Sequence, residues 1–305
     1  MKRHHYNPQV YLRQFTRPNS KSELWEYDLT KGVAKQSTPK DSGYEDYYHS
    51  FVRSDGQRDD ETIERSFSTI ENRLPELFKA IRNRMPITDE LLILFCWFAA
   101  IQRARSPRML ASSQRVLQNY HESTWEMLKQ TPNFDSAMIA RGQEPSKVRD
   151  AKFQITPNRG LSLRMLLDRS EKLVGCFQKM HWTFYCAPQG TFFFTNDDPV
   201  CCWSPSHECG RFDAVGPKSP DVDITFPLSR AVCAHGSWNP ALPGFIELKS
   251  QEVNDINFRT IVSGWKFAFG PAKDNLILEW VTQHNPKSGS SGILRCFLIG
   301  VFKSF

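Results

Sequence analysis

Helical and strand patterns occupy separate parts of this chain, and that separation constrains the fold more than any other feature. Apolar residues recur at helical spacing from about residue 59 to residue 180, whereas short apolar runs broken by proline and glycine fill residues 181–305. A parallel α/β sheet would require the two patterns to alternate along the chain. The sequence therefore predicts a single α+β domain over residues 1–305, with a helical N-terminal half packed against a mainly antiparallel C-terminal β-sheet.

The helical half is predicted to hold two long helices at its start. An apolar stripe from residue 59 to residue 81 indicates one helix, and a segment from Thr88 to Pro107 that is apolar on almost every side indicates a second, buried one. Pro107 is expected to end that helix. Residues 37–56 are polar and aromatic and are predicted to form a surface loop.

The strand half is organised around residues 192–200, where three phenylalanines run into Asn-Asp-Asp-Pro. We expect residues 191–195 to pair with residues 181–186 as a hairpin that turns at Gln189-Gly190 and leads into the two aspartates. Carboxylates at the end of a buried strand are held rigidly, so Asp197 and Asp198 form a candidate metal or general-base site. The same residues also form an ordinary capped turn, and both interpretations stay open.

Composition limits the classes of partner. The net charge of +6 and the pI near 8.9 are compatible with a nucleic acid or nucleotide as partner. No apolar run resembles a secretory signal or a membrane span, so we expect no membrane association, a cytoplasmic location and reduced cysteines. The sequence contains no glycine-rich phosphate loop, dinucleotide-binding fingerprint or nucleophile elbow, which disfavours kinases, dehydrogenases and α/β-hydrolases.

A group of cysteines and histidines in the strand half is a candidate zinc site. Its members are Cys201, Cys202, His207, Cys209, Cys233 and His235. Thiolates and imidazoles bind zinc, but these separations match no zinc finger, and reduced cysteine is commonly a small buried hydrophobe. A structural zinc ion is therefore not favoured.

The end of the second long helix carries an arginine that needs a partner. Gln102 and Arg105 are three residues apart on one face of a helix that is otherwise apolar. Arginine is rarely buried without an anion. Either Glu64 or Glu71 pairs with Arg105 in a structural ion pair, or Arg105 binds a phosphate, and the sequence favours neither.

Short motifs in a fixed order give the chain a resemblance to a known family. These motifs are His4-His5-Tyr6-Asn7-Pro8-Gln9 with Tyr11, Leu12 and Phe15; Ile70-Glu71; Gln102 to Pro107; Phe194 to Val200; Phe226 to Ser229; and Asn254 to Asn257. In this order they resemble the family catalogued as domain of unknown function 4238, from His4 to about Gly270. That name implies no activity.

The resemblance places the family's characteristic polar residues on six positions of this chain: His5, Glu71, Gln102, Arg105, Asp197 and Asn257. The chain departs from the family at Asp198, where we expect asparagine more often, so Asp197 is weighted above Asp198. Histidine, glutamate, arginine and aspartate in separate segments are the side chains that a hydrolytic or metal site would use.

The first functional hypothesis is a metal-dependent phosphodiester hydrolase, a nuclease that acts in defence against foreign nucleic acid. Asp197, Glu71 and His5 would bind Mg²⁺ or Mn²⁺, with His5 as a ligand or general base. Arg105 would hold a phosphate, and Gln102 would orient that phosphate or the attacking water. Further substrate contacts are assigned to three side chains: Arg103, Arg108 and Asn257.

Two other hypotheses remain. The protein is a non-catalytic nucleic-acid or nucleotide binding module, in which arginines contact phosphates and tyrosines stack on bases. Alternatively, the polar residues form a buried ion-pair network that joins the two halves of the fold. Shared access of Asp197 and Glu71 to one cation would favour the hydrolase, whereas pairing of each carboxylate with arginine would favour the network. The sequence does not predict the oligomeric state.

Overall fold

The computed structural model describes residues 2–150, 159–204, 215–240 and 244–283 of this α+β protein. The N-terminal region contains β1 (Arg3–His5), α1 (Gln9–Leu12), a 3-10 turn (Arg13–Phe15), β2 (Leu24–Asp28), β3 (Val33–Ser37), β4 (Tyr44–Asp46), β5 (Phe51–Val52) and β6 (Arg58–Asp59). The helical region contains α2 (Thr62–Glu71), α3 (Leu74–Arg82), α4 (Asp89–Ala104), α5 (Pro107–Lys129), α6 (Phe134–Ile139), α7 (Pro145–Asp150) and α8 (Arg159–Phe177). The C-terminal region contains β7 (His181–Cys186), β8 (Thr195–Asn196), β9 (Cys201–Trp203), β10 (Asp223–Pro227), β11 (Val232–Ser237), β12 (Gly244–Glu247), α9 (Ser250–Ser263), β13 (Phe267–Gly270) and α10 (Asn275–Gln283). Mixed α+β architecture is thus confirmed, with helices in the middle and a sheet after them, but strands also occur before the helices.

Two larger sheets are present among the described residues. A five-stranded sheet has the order β12-β7-β11-β10-β9, antiparallel except for the parallel pair β12–β7. An antiparallel four-stranded sheet has the order β3-β2-β13-β8. The hairpin of β2 and β3 therefore shares one sheet with β8 and β13 from the C-terminal region.

The predicted hairpin between residues 181–186 and 191–195 is wrong. β7 pairs with β11 and β12, whereas β8 pairs with β13 in the other sheet. Phe193 and Phe194 explain the difference, because they are buried in separate apolar clusters. Their backbone amides donate to Arg230 O and to the Asn257 side chain, at 2.9 Å in each case, so the chain crosses from one sheet to the other here.

The helical region also differs from the prediction at its start. The stripe predicted as one helix forms two, α2 and α3, because Pro75 lies in the first turn of α3 and cannot continue a helix from before it. Helix α4 confirms the buried helix, and Thr88 caps it by accepting from Leu91 N at 3.4 Å. Pro107 follows its end but also begins α5, with Ser106 as the N-cap.

Aromatic side chains hold α4 between the sheets and the N-terminal segment. Phe98 packs edge-on against Tyr11 at a centroid distance of 5.5 Å and lies 5.2 Å from Phe226 of β10. The Tyr11 hydroxyl group donates to Pro227 O at 2.7 Å and lies 2.6 Å from Thr195 Oγ1. These contacts fix the N-terminal segment, and with it β1, against the core.

Residues 37–56 are more structured than a surface loop. They include β4, which pairs with β1 so that His4 lies opposite Glu45, and β5, which pairs with β6. Tyr48 and His49 are buried, and the Tyr48 hydroxyl group donates to Arg105 O at 3.0 Å. The pairing of β1 with β4 places this segment beside the start of the chain and beside the end of α4.

None of the helices in the described ranges is long and apolar enough to cross a membrane. The apolar run of residues 293–302, which by its sequence would be a final strand, lies outside the described residues.

Candidate metal centre

Three side chains that are distant in sequence converge beside β1. His4, His49 and Glu64 each present a donor atom, and these atoms all lie within 4.8 Å of one another. His4 is in β1, His49 follows β4, and Glu64 is in the first turn of α2. These three residues, which we call the metal group, could hold a metal ion.

Local geometry sets the orientation of His4. The His49 backbone N–H donates to His4 Nδ1 at 3.0 Å, and the two imidazole rings stack with centroids 5.7 Å apart. A neutral imidazole whose Nδ1 accepts a hydrogen bond carries its proton on Nε2. In this arrangement His4 Nε2–H is a donor.

Glu64 orients His49 so that its proton lies on Nδ1, whereas the proton of His4 lies on Nε2. His49 Nδ1 forms a short contact with Glu64 Oε1, in which Nδ1–H donates to the carboxylate. His49 Nε2 therefore keeps its lone pair, as in metal-binding histidines that are oriented by a carboxylate. Burial lowers the pKa of His49 to about 4, against the opposing effect of Glu64, so the imidazole is neutral at pH 7.

The two Nε2 atoms are the unusual feature of the group. Both are buried, and neither has a hydrogen-bond partner within the part of the chain that the structure describes. Buried polar atoms are nearly always paired, so such a pair calls for a ligand. The His49 side chain is 1% exposed, whereas that of Glu64 is 36% exposed, so the group opens to solvent on the side of Glu64.

Three of the residues predicted to be catalytic lie together in a second polar network. Arg105 Nη1 donates to Glu71 Oε1 at 2.6 Å, and Arg105 Nε donates to Gln102 Oε1 at 2.7 Å. Gln102 Nε2 in turn donates to Asn7 Oδ1 at 2.6 Å. Arg105 is 1% exposed and has Glu71 as its anion, so of the alternatives for Arg105 the ion pair with Glu71 is the one observed.

One phenylalanine separates this network from the metal group. The Arg105 guanidinium lies 5.1 Å from the centroid of the Phe67 ring, and the His49 ring also packs against Phe67 at 5.1 Å. The two polar groups are thus neighbours across a shared aromatic wall.

His5 lies outside the convergent group. Its Nε2 is 3.3 Å from Lys40 O, and its ring packs against Tyr44 at 5.6 Å. Successive side chains of a strand point to opposite faces, so the partner of His49 is His4 and not the adjacent His5. Burial lowers the pKa of His5, and the charges of Glu64 and Glu71 oppose that shift.

Asp197 is occupied by backbone amides. One oxygen accepts from Trp265 N at 2.7 Å, and the other accepts from Lys266 N at 2.7 Å and Phe267 N at 3.0 Å. The residue is buried, and burial raises its pKa to about 6 while the three amides act in the opposite direction. These bonds fix the turn that leads into β13.

Asp198 pairs with two of the arginines that were assigned to substrate. It lies 2.8 Å from Arg103 Nη1 and 3.1 Å from Arg108 Nε. Arg108 also donates to the carbonyl oxygens of Ser263 and Gly264, which end α9. Both arginines are therefore engaged within the fold.

Asn257, also assigned to substrate, binds the backbone of the segment that crosses between the sheets. Its Oδ1 accepts from Phe194 N at 2.9 Å, and its Nδ2 donates to Phe192 O at 2.8 Å. Asn257 is 2% exposed. The amide side chain thus takes the place of a strand partner for residues 192–194.

The family of the chain follows from one comparison. A family model described as "Protein of unknown function (DUF4238)" matches residues 3–273. The chain belongs to the DUF4238 family. The match spans both the metal group and the Arg105 network of this DUF4238 protein. The comparisons with curated proteins and with solved structures gave no match.

Sequence reasoning did not assign the metal group of the DUF4238 chain. The histidine predicted as a metal ligand was His5 and not its neighbour His4. His49 falls in the segment that was predicted as a surface loop, and Glu64 was predicted only as a candidate ion-pair partner of Arg105. The one available signal was the adjacent pair His4-His5, of which one member had to face the core. Among the weighed zinc ligands, Cys201, Cys202 and Cys233 are free thiols, while His207 and Cys209 lie outside the described residues.

Proposed function

We propose that this DUF4238 protein is a metal-dependent phosphodiester hydrolase of the nuclease type, with an ion bound by the imidazoles of His4 and His49 and with Glu64 as the carboxylate that orients His49. The observation that carries the proposal is the convergence of the three side chains, together with two buried imidazole nitrogens that have no hydrogen-bond partner among the described residues. The proposal moves the ion away from Asp197 and Glu71, because those carboxylates already bind backbone amides and Arg105.

The donor set also bears on the identity of the metal. Two imidazoles, one of them oriented by a carboxylate, suit Zn²⁺, Mn²⁺ or Fe²⁺, whereas Mg²⁺ prefers oxygen ligands and retains water. Of the two ions expected from the sequence, Mn²⁺ fits this group and Mg²⁺ fits it poorly. We therefore propose Mn²⁺ or Zn²⁺.

His4 must change its hydrogen bonding to join the ion. Its Nδ1 now accepts from the His49 amide, which leaves the proton on Nε2. A net contribution of about 1 kcal/mol for that hydrogen bond is small beside the roughly 10 kcal/mol or more with which structural zinc sites bind. The free energy of metal binding is therefore larger than the cost of breaking this hydrogen bond of His4.

Two cations near the group are candidates to contact a phosphodiester substrate. Burial lowers the pKa of His4, and the positive charges of Lys2 and Arg159 act in the same direction, whereas the negative charges of Glu64 and Asp60 oppose them. Lys2 also lies 3.3 Å from Glu61. Arg159 also stacks on Tyr48 and donates to its carbonyl oxygen. These two side chains would hold a phosphate, and a bound ion would supply an activated water and polarise the phosphoryl oxygen.

The test combines metal binding and cleavage on the same samples. Chelator-treated protein is titrated with Zn²⁺, Mn²⁺ and Mg²⁺, and each form is incubated with labelled single-stranded RNA and DNA. We expect binding of Zn²⁺ or Mn²⁺ and metal-dependent products, with both lost by at least 100-fold in His49→Gln. Glu64→Gln should weaken both less, because glutamine still accepts from His49 Nδ1.

His181→Gln is the matched control, since His181 is exposed in β7 and belongs to neither polar group. Circular dichroism melts of all variants show whether the fold is retained. Metal binding without cleavage would refute the hydrolase and keep the metal centre. Absence of metal binding in the unmodified protein would refute both, and a salt-sensitive shift of the nucleic acid without products would support the binding module instead.

A further inference from the structure

A cavity of about 830 Å³ lies away from the metal group, between the 3-10 turn that follows α1, the end of α3 and the turn between β10 and β11. Its lining includes the cationic side chains of Arg13, Lys21, Arg82, Arg84 and Arg230. None of these residues belongs to the metal group or to the Arg105 network. This size is typical of a small-molecule site.

The lining carries five cationic side chains and no carboxylate. Only Arg84 has an anionic partner, Glu247, at 2.5 Å, and the other four cations form no ion pair with a described residue. Five cations less the charge of Glu247 leave four positive charges around the cavity. Such a concentration of like charge attracts a polyanion.

The hydrogen bonds of these arginines use neutral acceptors. Arg230 donates to Thr16 O at 3.0 Å, and Arg82 donates weakly to Gln14 Oε1 at 3.4 Å. Burial lowers the pKa of Arg230, and the charge of Arg82 lowers it further, so the two arginines repel one another. An anion between them would remove that repulsion.

The inner wall of the cavity is apolar. Phe78, Ile81 and Val232 line it and are buried in the core. These three side chains are only 1–3% exposed, so they form a narrow apolar floor beneath a cationic rim, as expected for a molecule with a planar or apolar body and a phosphate tail.

We propose that this cavity binds a nucleoside triphosphate. The four uncompensated positive charges match the roughly four negative charges of a triphosphate at neutral pH. The arginines supply the planar forks that bind phosphate oxygens in pairs, and the apolar floor receives the base. The proposal does not rest on the hydrolase, because the two sites share no residue.

Calorimetric titration of the full chain with ATP, AMP and inorganic triphosphate tests the proposal. We expect ATP to bind at least tenfold more tightly than AMP, because AMP offers fewer charges to the rim. Inorganic triphosphate should bind more weakly than ATP because it leaves the apolar floor unfilled. Equal affinities for ATP and AMP would refute the triphosphate site, and equal affinities for ATP and inorganic triphosphate would refute the role of the base.

Variants then locate the site. Arg82 is exposed, and its side chain has one weak hydrogen bond to a described residue, so Arg82→Gln should fold normally and bind ATP about tenfold more weakly. Arg230→Gln should have at least as large an effect. Arg65→Gln removes the same charge from a side chain that is 81% exposed on α2, outside the cavity, and should leave ATP binding unchanged. Equal weakening by Arg65→Gln and Arg82→Gln would overturn the proposal.

Discussion

The metal group and the Asp197 turn are both buried polar sites, but they differ in whether their atoms have partners. Asp197 directs both carboxylate oxygens at three backbone amides within 3.0 Å. His4 and His49 each have a buried Nε2 with no hydrogen-bond partner in the described ranges. Burial of a polar group costs free energy unless a hydrogen bond offsets the cost. A saturated site thus stabilises the fold, whereas an unsaturated one is held ready for a ligand.

This comparison separates residues that the sequence could not separate. Aspartate, histidine, glutamate and arginine all suit a hydrolytic site, and residue type alone gives Asp197 and His49 equal claim. Only the partners of each atom distinguish them. The difference predicts that substitutions in the Asp197 turn act mainly on stability, whereas substitutions in the metal group act mainly on ligand binding.

The largest effect on stability is expected for Asp197→Ala. Removal of the carboxylate leaves three part-buried N–H groups without their acceptor, each at a cost of up to about 1–3 kcal/mol. We expect the free energy of unfolding to fall by roughly 3–6 kcal/mol, a large part of the 5–15 kcal/mol typical of a folded protein. Urea denaturation measures this loss.

Asp46→Ala is the control, because Asp46 is exposed in β4 and the same chemical change there should alter stability by less than about 0.5 kcal/mol. Asp197→Asn retains one oxygen for the amides and should lie between the two. A loss of less than about 1 kcal/mol in Asp197→Ala would show that the amides find other partners and that the turn is not held by this carboxylate.

A second prediction concerns the pH dependence of stability in the metal-free protein. The pKa of His49 is about 4 in the folded state and about 6.5 in an unfolded chain. Because the folded pKa is the lower one, the stabilising contribution is fully present above pH 6.5. It is lost as the pH falls from about 6.5 to 4, by up to about 3 kcal/mol.

The measurement is the difference between the unmodified protein and His49→Gln, each unfolded by urea in the presence of chelator from pH 7.5 to pH 4. Carboxylates that titrate in both proteins cancel in that difference. Stability of the unmodified protein should fall more steeply with acid than that of the variant. Parallel curves would mean that His49 is already protonated in the fold or is not buried in solution.

Local patterns in the sequence were sufficient for part of the fold. Helix α4 could be located because its apolar residues surround it and Thr88 marks its start. The division between α2 and α3 was within reach, since Pro75 interrupts the stripe, but the apolar spacing continued through it. Such elements depend on neighbouring residues, and the sequence displays those directly.

Non-local pairing was beyond local patterns. The position of β8 depends on β13, which lies about seventy residues further along the chain, and Phe193 and Phe194 enter different clusters. The metal group depends in the same way on the register of β1 against β4, and a shift of one residue would turn His5 towards His49 in place of His4. The sequence could therefore predict which residue types form the candidate site, but not which histidines and which glutamate belong to it.

The smallest effect expected is that of Arg103→Gln, and it tests the saturated side of the comparison. Arg103 is 19% exposed and pairs with Asp198, which is 2% exposed and also contacts Arg108. Since Asp198 keeps one arginine, the substitution should cost about 1–2 kcal/mol of unfolding free energy, less than the loss of an only partner. If the ion pair is the main role of Arg103, binding of single-stranded RNA, measured by fluorescence anisotropy at two salt concentrations, should change by less than twofold.

Arg65→Gln is the control, because it provides the same change of net charge on an exposed surface. A salt-sensitive loss of RNA binding in Arg103→Gln, but not in Arg65→Gln, would show that the arginine contacts phosphate as the sequence suggested, and that a paired side chain can still serve a ligand.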